Sequence, residues 1–281
     1  MKPYFIDEPA VISLSGGRTS GYMLYKILEA HGGLPDHIKV VFANTGKEMD
    51  ETLDFVRDIG KIWGVDIIWV ELASLKVEHQ EPRNKIIKTY KLVDYATASR
   101  NGEPFDVLLD GLPAIPNVVA RTCTAYMKMR AIQWYADGVF GHGNYIKAIG
   151  IRKDERRRAV KLHNQVKEGA LCILPMYDAG DTVADVFDFW SKNNFDLRLQ
   201  NNGGVTDWGN CDLCHLKGTG KRISIIAARP DLADWWIDAE EKKQQYFRRD
   251  MPSYKELKII ATEQTDMFGF DDETIPCFCG D

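Results

Sequence analysis

The stretch "AVISLSGGRTSGYMLYKILEA" (10–30) constrains this chain more than any other. A short apolar run ends in Ser-Gly-Gly-Arg-Thr-Ser, and a helical pattern follows at once. The theme then repeats. "HIKVVFAN" (37–44) predicts a second strand. Met49 to Trp63 predicts a helix, with Leu53, Val56, Ile59 and Ile62 on one side. "VDIIWVEL" (65–72) predicts a third strand. Strands alternating with helices in this way imply a parallel sheet with crossover helices, the α/β class.

Beyond that the pattern loosens. Residues 73–118 hold prolines, charges and a short helical piece, "YKLVDYATAS". Thr124 to Trp134 predicts a helix, "YIKAIGI" (145–151) a further strand, and "LCIL" a strand around Cys172. From about residue 175 the chain reads as mostly helical and rich in Trp and Cys, without an obvious linker before it. This suggests an α/β core over 1–174 and a helical C-terminal region over 175–281. The 281 residues and 44% hydrophobic content suit one large domain with an appendage. The net charge of -5 argues against a dedicated nucleic-acid binder and leaves a local basic patch open. No run of eighteen apolar residues suggests a membrane span. "MKPYFIDEPA" has no secretory core, so the expected compartment is the cytoplasm. Six cysteines in a chain of this length point to metal ligands or redox groups rather than a disulfide scaffold.

The Gly16-Gly17 turn lets backbone N–H groups face an anion, and the following helix adds its positive end. Ser15, Thr19 and Ser20 offer hydroxyls and Arg18 a charge. The alternative is an ordinary packing turn. The Gly-Lys-Ser/Thr ending of the common nucleotide loop is missing.

Several motifs in order carry a resemblance. "SGGRTS" resembles the SGGxxS pyrophosphate loop (PP-loop) of the adenine-nucleotide alpha-hydrolase group. "VVFANTGKEMDETLDFV", "AIGIRKDERRRA" and "PMYDAGDTVADVFDFWSKNN" are similar to segments of the phosphoadenosine phosphosulfate (PAPS) reductase family, with Phe187 where Trp is usual. "RTCTAYMKMRAI" and "NCDLCHLKG" sit where cluster-bearing members carry a Cys-Cys pair and a Cys-x-x-Cys pair. The match runs over about residues 10–218 and fades in the tail. It implies a doubly wound parallel sheet with an adenine nucleotide across the strand ends. Ser15, Gly16, Gly17, Thr19 and Ser20 would cradle phosphates. Phe42, Ala43 and Asn44 would meet the adenine through their backbone. Glu48, after the Thr45-Gly46 turn, would assist Mg²⁺ or the ribose, or simply favour a helix N-terminus. Arg152, with Arg156 or Arg157, would bind a phosphate or sulfate; the remaining cations of "RKDERRRAVK" read as a solvated face or a nucleic-acid contact.

Cys211-x-x-Cys214 is a chelating pair, and Cys123 matches the family's ligand position. Thiolates suit a [4Fe-4S] cluster; zinc, with four Cys or with His215, is the rival. Thr122-Cys123 replaces the family's adjacent pair, so one ligand is missing. Either the tail supplies it, through Cys277 or Cys279, or one iron stays open, as in some tRNA-thiolating PP-loop enzymes. Cys172 reads as core.

Three functions follow. The first is an ATP-using enzyme that cleaves between the α and β phosphates, leaving AMP on an acceptor for sulfur transfer; a nucleic-acid acceptor and a sulfur donor fit it. Arg18 and Arg152 would stabilise charge there. The second is a reductase of PAPS or adenylyl sulfate that works with a thiol reductant. Its nucleophile would be Cys279 in "CFCGD", which lacks the family's Glu and His. The third is a nucleotide-binding regulator without turnover, with "DLADWWIDAEEKKQQYF" as a docking face unless Trp235 and Trp236 simply pack inside.

Overall fold

The computed structural model describes residues 2–78, 85–167 and 169–263. A 7-stranded sheet runs in the order β4-β3-β2-β1-β5-β7-β6. Its strands are β1 (Ala10–Leu14), β2 (Ile38–Ala43), β3 (Ile67–Glu78), β4 (Lys85–Val93), β5 (Ile146–Ile149), β6 (Val166–Lys167) and β7 (Ala170–Ile173). The five central strands are parallel, and the two edges, β4 and β6, are antiparallel. The fold is therefore doubly wound α/β.

Local chemistry explains the elements. β1 and β2 are nearly continuous apolar runs because both sheet faces are covered. α1 (Arg18–His31) and α2 (Asp50–Trp63) each end at a glycine in the left-handed region, Gly32 at φ 70° and Gly64 at φ 65°. They cover one face, where Met23, Leu24, Ile27, Leu53, Phe55 and Val56 join a large core with Ile12, Leu14 and Phe42. α3 (Glu103–Gly111) follows the β4 edge. The other face carries α4 (Arg130–Phe140), whose Ala131, Ile132, Tyr135 and Ala136 pack on Val11, Val41 and Val70. Fully burying one such side chain contributes roughly 1.5–3 kcal/mol.

α5 (Arg156–Leu162), α6 (Pro175–Ala179), α7 (Val183–Lys192), α8 (Thr219–Ala228), α9 (Ala233–Lys243) and α10 (Tyr254–Glu263) complete the described chain. Trp190, Trp236, Phe247 and Tyr254 belong to the same core cluster as β1 and α1. The helical region past residue 175 thus shares a core with the sheet. Trp236 is fully buried and Trp235 packs edge-on against it at 5.1 Å.

Three local readings need correction. β3 continues to Glu78 and pairs with β4 in a long antiparallel ribbon, so the loosened segment after residue 72 begins as strand. "YKLVDYATAS" is not helical: it finishes β4 at Val93 and then turns. The helix expected from Thr124 starts as a π-helical segment, Cys123–Met129, before α4. Among the described residues no helix is long and apolar enough to cross a membrane.

Candidate functional site: an anion cleft beside a cysteine cavity

The sheet order reverses beside β1: β2 lies on one side of it and β5 on the other. Ligands of doubly wound sheets bind outside the strand ends at such a point. The Ser15–Ser20 turn sits there. Gly16 has φ 82°, and a Cβ on it would come within 2.6 Å of Thr52 Cγ2 and 3.2 Å of the Phe42 ring. Glycine is therefore required twice, by conformation and by space. Gly17 caps α1 with no side-chain hydrogen bond, and first-turn N–H groups have no partner inside a helix. Ser20 ties the turn together: its hydroxyl accepts from Ser15 N at 3.0 Å, lies 2.9 Å from Ser15 Oγ and donates to Gly17 O at 3.1 Å.

A narrow cleft opens on this turn, lined by Ser15, Gly16, Gly17, Arg18, Thr52 and Arg152, and closed on the far side by Leu197, Gly204–Thr206, Gly209 and Asn210. No carboxylate is among these lining residues. Arg18 builds that far wall. It is 3% exposed, donates to both Asp196 oxygens at 2.7 and 2.8 Å, and also reaches Leu197 O and Leu199 O. Its Nη1 has no hydrogen-bond partner, and neither does Thr52 Oγ1. Both atoms belong to residues that line the cleft. A buried guanidinium N–H and hydroxyl left in this way are costly unless something accepts from them. Arg152 follows β5 and donates from Nη1 to Thr19 Oγ1 at 3.0 Å, while Asp154 and Glu155 steady it.

Two expected arginines are not there. Arg156 and Arg157 are exposed on α5, outside the cleft's lining. α5 turns its Arg158 inward instead, 7% exposed, to Glu155.

A larger cavity of about 430 Å³ lies over the other sheet face. Its walls include Val11, Leu14, Ala43, Ile132, Ile149 and Cys172. Five basic residues, Arg121, Lys128, Lys147, Lys161 and Lys167, also line it, and no acidic residue is among those lining it. Ser15 lines both this cavity and the cleft, so the two meet at the turn. Of the residues expected near a base, Ala43 lines the cavity. Phe42 lies in the core, edge-on to Trp69 at 4.8 Å. Asn44 is fully buried, and its amide donates to Glu71 at 2.6 Å and to Ser99 O at 2.8 Å.

The cysteines form a third feature. Cys123, Cys211 and Cys214 line one small cavity with Thr45, Thr124, Lys128, Asn210 and His215. Thr124 and Lys128 also line the large cavity, and Asn210 the cleft. The cysteine cavity therefore borders both. The π-helical segment brings Cys123 and Lys128 to it together; an α-helix would turn residues five apart about 140° away from each other. The Cys-x-x-Cys turn is docked on the turn after β2. Glu48 and Cys211 form an isolated bridge, and Asp212 N donates to Lys47 O at 2.7 Å. Lys47 Nζ meets Asp212 at 2.9 Å with both side chains buried. Glu48 Oε2 accepts from Thr45 N and Oγ1 at 2.9 and 2.8 Å, while Lys128 Nζ stands 3.5 Å from Oε1. Glu48 thus holds the turn, with its charge balanced locally. Burial pushes the Cys211 thiol well above its usual range; Lys128 opposes this. Burial, with Arg222, Arg248 and Arg121, pulls His215 down to about 3, so its ring is neutral.

None of Cys123, Cys172, Cys211 and Cys214 is in a disulfide. Among the described residues no three His, Cys, Asp or Glu side chains form a compact group for a metal ion. The donor types around the cavity do fit thiolate-held iron–sulfur chemistry. Cys277 and Cys279 lie outside the described residues. Lys128 and Thr52 were missed by sequence reading; Lys128 stands in the quoted "RTCTAYMKMRAI", and only the π-segment reveals its direction.

No family model matches the chain. It is 30% identical over 211 residues to a protein of Escherichia phage lambda named "uncharacterized nin region protein ORF290". The match covers 75% of this chain and 67% of the phage protein. The chain belongs to the family of that phage protein. The relative's name states no activity.

Proposed function

We propose that this chain is a PP-loop enzyme, similar to the PAPS reductase family, that binds ATP and cleaves it between the α and β phosphates to activate an acceptor for sulfur transfer. One observation carries the reading. The cleft on the glycine turn has no acidic lining residue and holds two buried hydrogen-bond donors, Arg18 Nη1 and Thr52 Oγ1, without partners. An anion there satisfies both, with the α1 N-terminus and Arg152 adding positive potential. The adenosine extends through the junction at Ser15 into the cavity beside Ala43.

In the reaction an acceptor oxygen attacks the α phosphorus and the bond to the bridging oxygen of the β phosphate breaks. Pyrophosphate leaves and AMP stays on the acceptor. Arg18, Thr52 and Arg152 neutralise charge on the leaving group as it develops. Mg²⁺ would share that charge. Cys123, Cys211 and Cys214 would hold a [4Fe-4S] cluster, which when bound would supply iron–sulfur chemistry beside the nucleotide. The cysteine cavity borders both nucleotide cavities through Thr124, Lys128 and Asn210, so the cluster would lie beside the activated acceptor.

The five basic residues of the large cavity support a second reading, a reductase of PAPS or adenylyl sulfate, since they suit a ligand with a further anionic group. There a thiolate attacks the sulfate sulfur, a thiosulfonate forms, the adenosine phosphate leaves, and a thiol reductant releases sulfite. Anaerobically purified full-length protein incubated with ATP, adenylyl sulfate and PAPS separates the readings. Pyrophosphate from ATP supports the first and sulfite the second. Tight binding without either product indicates a regulator, and no binding of any of the three removes the nucleotide reading.

A further inference from the structure

His215 is a buried titratable group that neither cleft nor cavity chemistry uses. It follows Cys214 directly and lines the cysteine cavity with Cys123, Cys211 and Cys214. Its exposure is 0%, and neither ring nitrogen has a hydrogen-bond partner. The ring stacks on Phe247 at 5.5 Å and 25°. Its own carbonyl accepts from Arg248 Nη1 at 3.3 Å, which fixes the backbone beneath it.

A residue packed only for shape in this aromatic box has no need of two polar atoms, and buried polar atoms without partners call for a reason. A metal-bound imidazole uses both nitrogens: one binds, and the other donates to a nearby carbonyl. A single tetrahedral zinc ion would draw its sulfur donors to about 3.8 Å from one another, given bonds of about 2.3 Å. The described donors form no compact group of that kind, although they line one cavity. Three thiolates and an imidazole lining one cavity are donor types that iron–sulfur clusters use.

We propose that His215 is the fourth protein ligand of an iron–sulfur cluster held by Cys123, Cys211 and Cys214. The inference rests on the cluster reading given above. It removes the need for a ligand from the tail and closes the cluster against an open iron. Sulfur would then reach the acceptor from an external donor or a thiol.

The test uses the full chain, reconstituted anaerobically with ferrous iron and sulfide. Wild-type protein and His215→Cys should both hold about four irons per chain, since a thiolate can replace the imidazole, while His215→Phe leaves one iron without a protein ligand. Pulsed electron paramagnetic resonance of the reduced wild-type protein should show one directly bonded nitrogen, altered by ¹⁵N-histidine labelling. That measurement needs no variant to fold. No bonded nitrogen in the wild type, or a bonded nitrogen that persists in His215→Phe, overturns the proposal. If the wild type holds the cluster but shows no bonded nitrogen, only the histidine assignment fails. If wild-type protein takes up zinc alone or no metal, the cluster reading fails with it.

Discussion

Replacing Asp212 with alanine tests how the Cys-x-x-Cys turn is held in place. Asp212 is 2% exposed and Lys47 6%, and they meet at 2.9 Å. Asp212 Oδ1 also accepts from Trp236 Nε1 at 2.8 Å. Burial raises the Asp212 carboxyl above its ordinary range despite Lys47 beside it. Desolvation therefore outweighs attraction, and the pair positions the turn more than it stabilises the fold. In Asp212→Ala the Lys47 ammonium stays buried, with the Trp235 ring 5.4 Å away as its remaining neighbour of note, and Trp236 Nε1 loses its acceptor. Stranding one member of a buried pair costs roughly 3–5 kcal/mol. The unfolding entropy of a 281-residue chain is roughly 0.6 kcal/mol/K, so the melting temperature should fall by about 5–8 °C. A Lys47→Met, Asp212→Leu double variant removes both charges and should recover most of the loss. Thermal unfolding by circular dichroism gives these values, and an aromatic disulfide reagent should modify Cys211 faster in the single variant. If Asp212→Ala melts within about 1 °C of wild type, or the double variant melts lower than the single, the pair does not dock the turn as argued.

Three further outcomes follow. Gly16→Ala should lose nucleotide binding or fold poorly, because its Cβ would lie 2.6 Å from Thr52 Cγ2 at φ 82°; calorimetric titration with ATP beside a melting curve checks this, and unchanged affinity would refute it. Arg152→Ala should weaken ATP binding or turnover about tenfold or more, since a charge-assisted hydrogen bond contributes roughly 1.5–3 kcal/mol; wild-type kinetics would put Arg152 outside the site. The Arg248 hydrogen bond holds the Asp250 carboxyl down at about 2, against 3.8 ordinarily. Its stabilising effect is present above about pH 4 and is lost as pH falls toward 2, so Asp250→Asn should flatten that part of the stability–pH profile.

The β3–β4 ribbon was illegible in sequence because the Tyr90–Ser99 segment has apolar residues at helical spacing. Pairing along β3 overrides that local preference as far as Val93. The basic run on α5 misled for a related reason. One helical turn decides which arginine faces inward, and tertiary contact selects Arg158.

The sequence by itself determined the alternation of strand and helix, the parallel character of the central sheet, and the glycine turn at the end of β1. These are local properties: apolar period, helix-ending glycines and a turn that tolerates no side chain. Tertiary structure alone decided what the functional groups do. Arg18 meets Asp196 across 178 residues, and Thr45 meets Cys211 across 166. Thr52 and His215 gained meaning only when folding buried their polar atoms without partners. Period and propensity report on neighbours a few residues apart. Burial and the absence of a hydrogen-bond partner depend on chain segments that meet only after the sheet has formed.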